Sequence, residues 1–138
     1  MEPSTTPSAP ITPSNSKRIL CIEDEHFISE LYARALTKAG YDVKVVIDGQ
    51  VGLAEAKTNQ YDIILLDIMI PTMTGIEILK ELRDPTKTSP LKSKIIITTN
   101  LEQGLQGRAE IESQADGYVI KAEVTPHQLV DFLSQLQV

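Results

Sequence analysis

The sequence predicts one α/β domain in which a five-stranded parallel sheet is covered by helices on both faces. Five short apolar runs recur along the 138-residue chain, and each is followed by a segment with helical spacing of apolar residues. The runs are continuously apolar rather than alternating, which is typical of strands buried on both sides. Each strand–helix unit takes about 24 residues, a length that fits right-handed crossovers between parallel strands.

The strands are predicted from runs rich in Val, Ile and Leu. In chain order they span residues 18–22, 43–47, 63–66, 94–98 and 118–120. In open parallel sheets, ligands bind beyond the carboxyl ends of the strands. We therefore expect the functional residues in the loops that follow these runs.

Five helices are predicted from apolar spacing and from start and stop signals. They begin near residue 27, just after residue 49, and near residues 75, 101 and 126. The fourth is predicted to run from about residue 101 to residue 114. The fifth has the clearest start, because Thr125 is a suitable cap, Pro126 suits the first helical position and Gln128 completes a capping box.

Composition excludes several classes of protein. The chain has 13 basic and 19 acidic side chains, no Trp, four Tyr and two Phe, so direct nucleic-acid binding is not expected. The single cysteine, Cys21, excludes an internal disulfide and a Cys-rich zinc site. No apolar run approaches the length of a membrane span and no signal peptide is recognisable. We therefore expect a cytoplasmic protein that does not bind membranes.

The chain divides into a tail and a body. Residues 1–16 are rich in Pro, Ser and Thr and include one large aliphatic residue, Ile11. Such a segment buries too little apolar surface to offset the entropy lost on ordering, so we expect a disordered tail. Residues 17–138 are predicted to form the single domain.

Polar residues follow or close four of the predicted strands. They are Glu23, Asp24 and Glu25 after the first strand, Asp67 after the third, Thr98 and Thr99 at the end of the fourth, and Lys121 after the fifth. If the first strand lies near the centre of the sheet, these ends meet in one small area. Clustered carboxylates repel each other and require a cation, and oxygen ligands suit Mg²⁺. A metal, a hydroxyl, an ammonium and a nucleophilic carboxylate match the requirements of phosphoryl transfer.

In these residues the sequence resembles the receiver domains of two-component response regulators, of the chemotaxis CheY-like kind. The resemblance covers essentially residues 17–138. It rests on residues 19–24, residues 67–75, Thr99 and residues 117–121, in this order at strand ends. It implies a response regulatory (receiver) domain with the flavodoxin-like fold, five helices and the strand order 2-1-3-4-5.

The resemblance implies a role for each charged residue of the site. Asp67 is the expected phosphoacceptor, and Lys121 is expected to pair with the phosphoryl group. The expected ligands of Mg²⁺, for which Mn²⁺ is an alternative, are the carboxylates of Glu23, Asp24 and Asp67 and the backbone carbonyl of Met69.

The resemblance also implies two switch residues. Thr99 is the hydroxyl expected to move toward the phosphoryl group, and Tyr118 is the aromatic side chain expected to follow that movement. Neighbouring strand residues point to opposite faces, so Thr98 and Thr99 are not both expected at the site. Thr99 is preferred because its spacing of 22 residues from Lys121 matches the family.

The function implied by the resemblance is a phosphorylation-controlled signalling switch and not an enzyme with a separate substrate. A histidine kinase or a phosphotransfer protein is the expected phosphoryl donor, and the domain is expected to catalyse only its own phosphorylation and dephosphorylation. A downstream protein effector, or a second copy of the chain, is expected to bind the face formed by the fourth helix, the fifth strand and the fifth helix.

Several positions depart from the common family pattern. Glu23 stands where Asp is frequent, and Ala122 follows the lysine where the family usually has a cis proline, so a trans bond is predicted. Met69 and Leu101 are apolar at places that influence the attacking water in this family. We hypothesise that the phosphorylated form persists for this reason. Of the three acids after the first strand, Glu25 is the one expected to be only solvated.

Three other classes of protein share parts of this pattern. A flavodoxin-like electron carrier needs a Ser/Thr/Gly-rich phosphate loop after the first strand, whereas the acidic loop of this chain repels phosphate. A haloacid-dehalogenase-type phosphatase also uses an aspartate and Mg²⁺, but its second aspartate is replaced by Met69. A receiver-like interaction scaffold that is not phosphorylated is the third alternative.

Overall fold

The computed structural model describes residues 17–100 and 108–138. The predicted tail, residues 1–16, lies outside the described residues. The strands are β1 (Arg18–Ile22), β2 (Asp42–Val46), β3 (Ile63–Asp67), β4 (Lys94–Thr99) and β5 (Gly117–Ile120). They form one parallel sheet in the order β2-β1-β3-β4-β5, which confirms the predicted fold class and strand order. No strand bound differs by more than one residue from the predicted one.

The helices alternate with the strands. They are α1 (His26–Lys38), α2 (Gly49–Ala56), α3 (Gly75–Arg83), α4 (Arg108–Gln114) and α5 (Pro126–Ser134), with one 3₁₀ turn, Lys121–Glu123, before α5. The predicted capping box of α5 is present, because Thr125 and Gln128 hydrogen-bond each other's backbone amides. The predicted start of the fourth helix lies outside the described residues. None of the helices in the described part of the chain has the length and apolar character needed to cross a bilayer.

The three central strands β1, β3 and β4 are buried on both faces, which explains their apolar runs, whereas the edge strands β2 and β5 are partly exposed. Leu20 and Ile22 point to the face covered by α2, α3 and α4, and Ile19 and Cys21 point to the face covered by α1 and α5. The same alternation continues in the neighbouring strands. Each face therefore has its own apolar core, as expected for a doubly wound sheet.

The strand register aligns the carboxyl ends of the central strands. Ile22 of β1 pairs with Leu66 of β3, and Asp67 pairs with Thr98 of β4. Thr99, one residue further along β4, pairs with Ile120 of β5. The residues that follow β1, β3, β4 and β5 consequently emerge at the same edge of the sheet.

Close backbone contacts hold the loop that follows β3. The amide of Gly75 donates to the carbonyl oxygen of Ile68 at 2.9 Å, and the amide of Gly49 donates to that of Pro71 at 2.9 Å. A Cβ atom at Gly75 would collide with the carbonyl of Asp67, and one at Gly49 would collide with the carbonyl of Met73. Glycine is therefore required at both positions for the loop to lie against α2 and α3.

Candidate functional site

The candidate site lies at the carboxyl edge of the sheet, where four strand ends meet. Glu23 follows β1 directly, Asp67 is the last residue of β3, and Lys121 follows β5. Although 98 residues separate Lys121 from Glu23 in the chain, the Lys121 Nζ atom lies 3.1 Å from the Glu23 Oε1 atom. The same Nζ atom lies 3.2 Å from the Asp67 Oδ2 atom. The structure thus brings these three predicted site residues together.

These charged groups are almost entirely removed from solvent. Glu23 is 1% exposed and Asp67 is 2% exposed, and the Lys121 side chain is 6% exposed. Burying a charge is costly unless an opposite charge and hydrogen bonds compensate for lost hydration. The ammonium of Lys121 supplies that compensation for both carboxylates.

Burial and crowding shift the ionisation of the two carboxyl groups. Burial, followed by the charge of Asp67, raises the pKa of Glu23 from its ordinary value of 4.5 to about 7, although the charge of Lys121 opposes this shift. Burial also raises the pKa of Asp67, and the charge of Lys121 again opposes the shift. The two carboxyl groups therefore share an excess of negative charge that favours a proton or a cation between them.

The charged form of Lys121 is favoured, in contrast to the charged forms of the two carboxyl groups. Burial disfavours the charged ammonium, but the hydrogen bond to Glu25 and the charges of Asp67 and Glu23 outweigh burial and raise the pKa of Lys121. Lys121 is therefore charged at neutral pH. Its role in the site is that of a fixed cation and a hydrogen-bond donor rather than a base.

The three acids after β1 are arranged differently from the prediction. Carboxylate oxygens of Glu23, Glu25 and Asp67 all lie within 4.8 Å of one another. Asp24 is exposed and instead lines a shallow cleft of about 390 Å³ with residues 69–71 and 74. The prediction that Glu25 is only solvated was wrong, because the Glu25 Oε1 atom lies 2.9 Å from the Lys121 Nζ atom. The predicted role of Asp24 as a metal ligand stays a prediction.

The backbone after Asp67 also takes part in the site. The amide of Met69 donates to the Asp67 Oδ1 atom at 3.2 Å. This hydrogen bond fixes one carboxylate oxygen while Lys121 contacts the other, and it brings the backbone of Met69 next to the site. The Met69 side chain itself is 56% exposed. The Lys121–Ala122 bond is trans, as predicted.

Within the part of the chain that the structure describes, the side-chain hydroxyls of the two predicted switch residues hydrogen-bond groups other than Asp67. Thr99 is fully buried, and its hydroxyl donates to the carbonyl of Asn100 at 2.9 Å. Tyr118 is 40% exposed, and its hydroxyl accepts a hydrogen bond from Arg108 at 3.2 Å. Thr98 of β4 pairs with Asp67, and the Thr99 side chain lies on the opposite face by strand alternation. The preference for Thr99 as the switch hydroxyl stays a prediction.

The donor atoms of the site fit a hard divalent cation. Carboxylate oxygens are the protein ligands that Mg²⁺ prefers, and it is usually held by one or two carboxylates together with waters and phosphate oxygens. Glu23 and Asp67 offer two such groups in a buried setting, and Asp24 and Glu25 add further charge at the rim. The acidic group is therefore compatible with Mg²⁺.

Comparison with known proteins identifies the family. A family model described as the response regulator receiver domain matches residues 19–134. The chain therefore belongs to the receiver domain family of the response regulators, which are signalling proteins of two-component systems. The match includes every predicted site residue.

Individual relatives agree with this assignment. The chain is 33% identical over 120 residues to the response regulator ArlR of Staphylococcus saprophyticus, and the match covers 87% of this chain and 50% of that protein. It is also similar in structure to the chemotaxis response regulator CheY4 of Vibrio cholerae, with a TM-score of 0.73, 27% identity and coverage of 88% and 98% of the two chains. The receiver domain of the Francisella response regulator 1452 has a TM-score of 0.74, 26% identity and coverage of 86% and 94%. The chain spans about half the length of the curated relatives it matches.

Proposed function

We propose that this receiver domain is a phosphorylation-controlled switch in which Asp67 accepts a phosphoryl group from a histidine kinase or a phosphotransfer protein. The observation that carries the proposal is the buried carboxylate of Asp67, whose Oδ2 atom lies 3.2 Å from the ammonium of Lys121. A buried carboxylate beside a fixed cation is suited to attack phosphorus, because the cation balances the negative charge that develops in the transition state.

The proposed reaction is a direct transfer between two side chains. A carboxylate oxygen of Asp67 forms a bond to the phosphorus of a phosphohistidine while the phosphorus–nitrogen bond of the donor breaks. The donor imidazole keeps the electron pair of that bond and takes up a proton. When bound, Mg²⁺ supplies positive charge to the phosphoryl oxygens. Glu23, Asp24, Asp67 and the backbone carbonyl of Met69 are the groups that would hold it.

Four other residues of this chain bind the phosphoryl group, orient Asp67 or respond to its modification. Lys121 donates to the phosphoryl group and stabilises its charge. The amide of Met69, which already donates to the Asp67 Oδ1 atom, keeps the carboxylate in one orientation. Thr99 approaches the new phosphoryl group, and Tyr118 moves into the space that Thr99 leaves. The face formed by α4, β5 and α5 then binds a downstream effector or a second copy of the chain.

The proposal is tested by incubating the protein with Mg²⁺ and acetyl phosphate and measuring its intact mass. We expect the wild type and the control Asp131→Asn, an exposed aspartate of α5, to gain the mass of one phosphoryl group. Asp67→Asn should gain none. An unchanged adduct in Asp67→Asn would mean that another residue is the acceptor. Absence of an adduct on the wild type would support the less favoured alternative, an interaction scaffold that is not phosphorylated.

A further inference from the structure

Glu25 makes the shortest of the contacts between Lys121 and the surrounding carboxylates. The Lys121 Nζ atom lies 2.9 Å from the Glu25 Oε1 atom, compared with 3.1 Å for Glu23 and 3.2 Å for Asp67. Glu25 is also fixed through its backbone, because its amide donates to the Glu23 Oε2 atom at 3.1 Å. Glu25 is therefore a structural partner of the lysine rather than a freely solvated side chain.

The hydrogen-bonding capacity of Lys121 is fully used in this arrangement. An ammonium group has three protons to donate and accepts nothing. The carboxylates of Glu23, Glu25 and Asp67 each accept from it. A phosphoryl group on Asp67 adds several acceptor oxygens and a charge of about −2. Phosphorylation turns the Asp67 carboxylate into an acyl phosphate, so the contact of Lys121 with Asp67 passes to the phosphoryl group. A second donation from Lys121 to the phosphoryl group requires its contact with Glu23 or Glu25 to be given up.

Burial decides which contact is given up most readily. Glu23 is 1% exposed, so its carboxylate would be poorly hydrated after losing the lysine. The Glu25 side chain is 60% exposed, so water can replace the ammonium there. Separating a charge pair costs less when the released carboxylate faces solvent.

From this asymmetry we propose that Glu25 is a positioning residue, which holds Lys121 in the unphosphorylated protein and is exchanged for the phosphoryl group when Asp67 is modified. The proposal rests on the proposed function of Asp67. It adds a step in which the ion pair between Glu25 and Lys121 breaks as the phosphoryl group arrives. Glu25 therefore favours the unmodified state and lowers the affinity of the site for a phosphoryl group.

Two variants separate this role from a simple effect of charge. Glu25→Gln removes the charge. Glu25→Asp keeps the charge, but its side chain is one methylene group shorter and places the carboxylate further from Lys121. Glu30→Gln is the matched control, because Glu30 is an exposed glutamate on α1. Each protein is titrated with beryllofluoride, an inert phosphoryl mimic, at saturating Mg²⁺, and the dissociation constants are compared.

If Glu25 positions Lys121 by contact, both Glu25 variants bind beryllofluoride more tightly than the wild type, by about two- to fivefold, which is the strength of an exposed ion pair. Glu30→Gln should match the wild type. Unchanged or weaker binding by Glu25→Gln would overturn the proposal. Wild-type affinity in Glu25→Asp would also overturn it, because charge alone would then explain the result.

A second measurement follows the lysine in the metal-free protein. With ¹⁵N-labelled lysine, the Lys121 ammonium should give a distinct, slowly exchanging NMR signal in the wild type, because the group is buried and fully hydrogen-bonded. The signal should broaden in both Glu25 variants and stay unchanged in Glu30→Gln. Identical signals in all four proteins would overturn the positioning role. A wild type that binds no beryllofluoride but shows the lysine contact would instead overturn the proposed function.

Discussion

Arg108, the first residue of α4, contacts Tyr118 of β5 in two ways. Its Nη2 atom donates to the Tyr118 hydroxyl at 3.2 Å, and its guanidinium carbon lies 5.9 Å from the centre of the ring. Both contacts hold the ring in its partly exposed position. An inward rotation of Tyr118 must therefore break a link between α4 and β5.

This link leads to a prediction about the resting position of Tyr118. Arg108→Met removes the hydrogen bond and the cation–π contact, each of which is worth no more than about 1 kcal/mol at an exposed site. We expect the ring to spend more time in the inward position. Labelling with 3-fluorotyrosine should show the Tyr118 ¹⁹F resonance moving toward its position in the beryllofluoride-bound wild type. A resonance that does not move would mean that Arg108 does not hold the ring.

A second prediction concerns the stability supplied by Lys121. Lys121→Met leaves Glu23 and Asp67 buried without their cation, so in the absence of Mg²⁺ the free energy of unfolding should fall by about 3 kcal/mol. Lys44→Met is the control, because its ion pair with Glu55 is largely exposed on the lysine side and should contribute less than about 1 kcal/mol. Urea unfolding followed by circular dichroism measures both. Equal losses in the two variants would contradict this account of the site.

The raised pKa of Glu23 predicts how stability depends on pH. Between its ordinary value of 4.5 and the folded-state value of about 7, the unfolded chain has released the Glu23 proton while the folded protein still holds it. Stability of the metal-free protein should therefore fall as pH rises through this range. The fall should stop above the folded-state value, where both states are ionised.

The measurement compares unfolding free energies of the wild type and Glu23→Gln from about pH 5 to about pH 8. The wild type should lose stability relative to the variant as pH rises, since the variant has no proton to release at this position. Saturating Mg²⁺ should remove the difference in slope, because a cation then replaces the proton. Parallel profiles without Mg²⁺ would show that Glu23 titrates normally.

A fourth prediction concerns the lifetime of the phosphorylated protein. Met69 places a largely exposed apolar side chain two residues after Asp67, where it cannot orient a water by hydrogen bonding. The phosphorylated wild type should decay slowly, and Met69→Asn should decay about threefold faster or more because an amide can orient the attacking water. Loss of the phosphoryl group is followed by intact mass after acetyl phosphate is removed. Decay of the wild type within seconds under ordinary Mg²⁺ conditions would contradict the hypothesis.

The sequence was informative about the fold because the central strands are buried on both faces. Residues 63–66 and 95–97 had to be apolar throughout, and this property is visible without coordinates. The strand order is not contained in any local pattern and came only from the resemblance to a family. The start of the fifth helix was also predictable, since the capping box of Thr125 is a local interaction.

The site was less predictable where side-chain direction depends on loop geometry. Glu23, Asp67 and Lys121 lie at or directly after the ends of strands whose direction is fixed by the sheet, so their convergence could be expected. Asp24 and Glu25 lie in the turn before α1, and the sequence alone does not tell which of two adjacent acids points inward. Glu25 and Lys121 are 96 residues apart in the chain, so no local sequence pattern predicts their contact.

The close approach of Gly49 to the loop after β3 sets a limit on how this surface can be redesigned. Any side chain at Gly49 would displace that loop from α2. The displaced loop includes Met69, whose amide hydrogen-bonds the Asp67 carboxylate. Gly40 has no atoms within 4 Å of an added Cβ, and only its φ of 104° restricts it. An engineer who wants to graft a tag or a new recognition loop onto this domain should therefore choose the turn before β2 and leave the turn before α2 untouched.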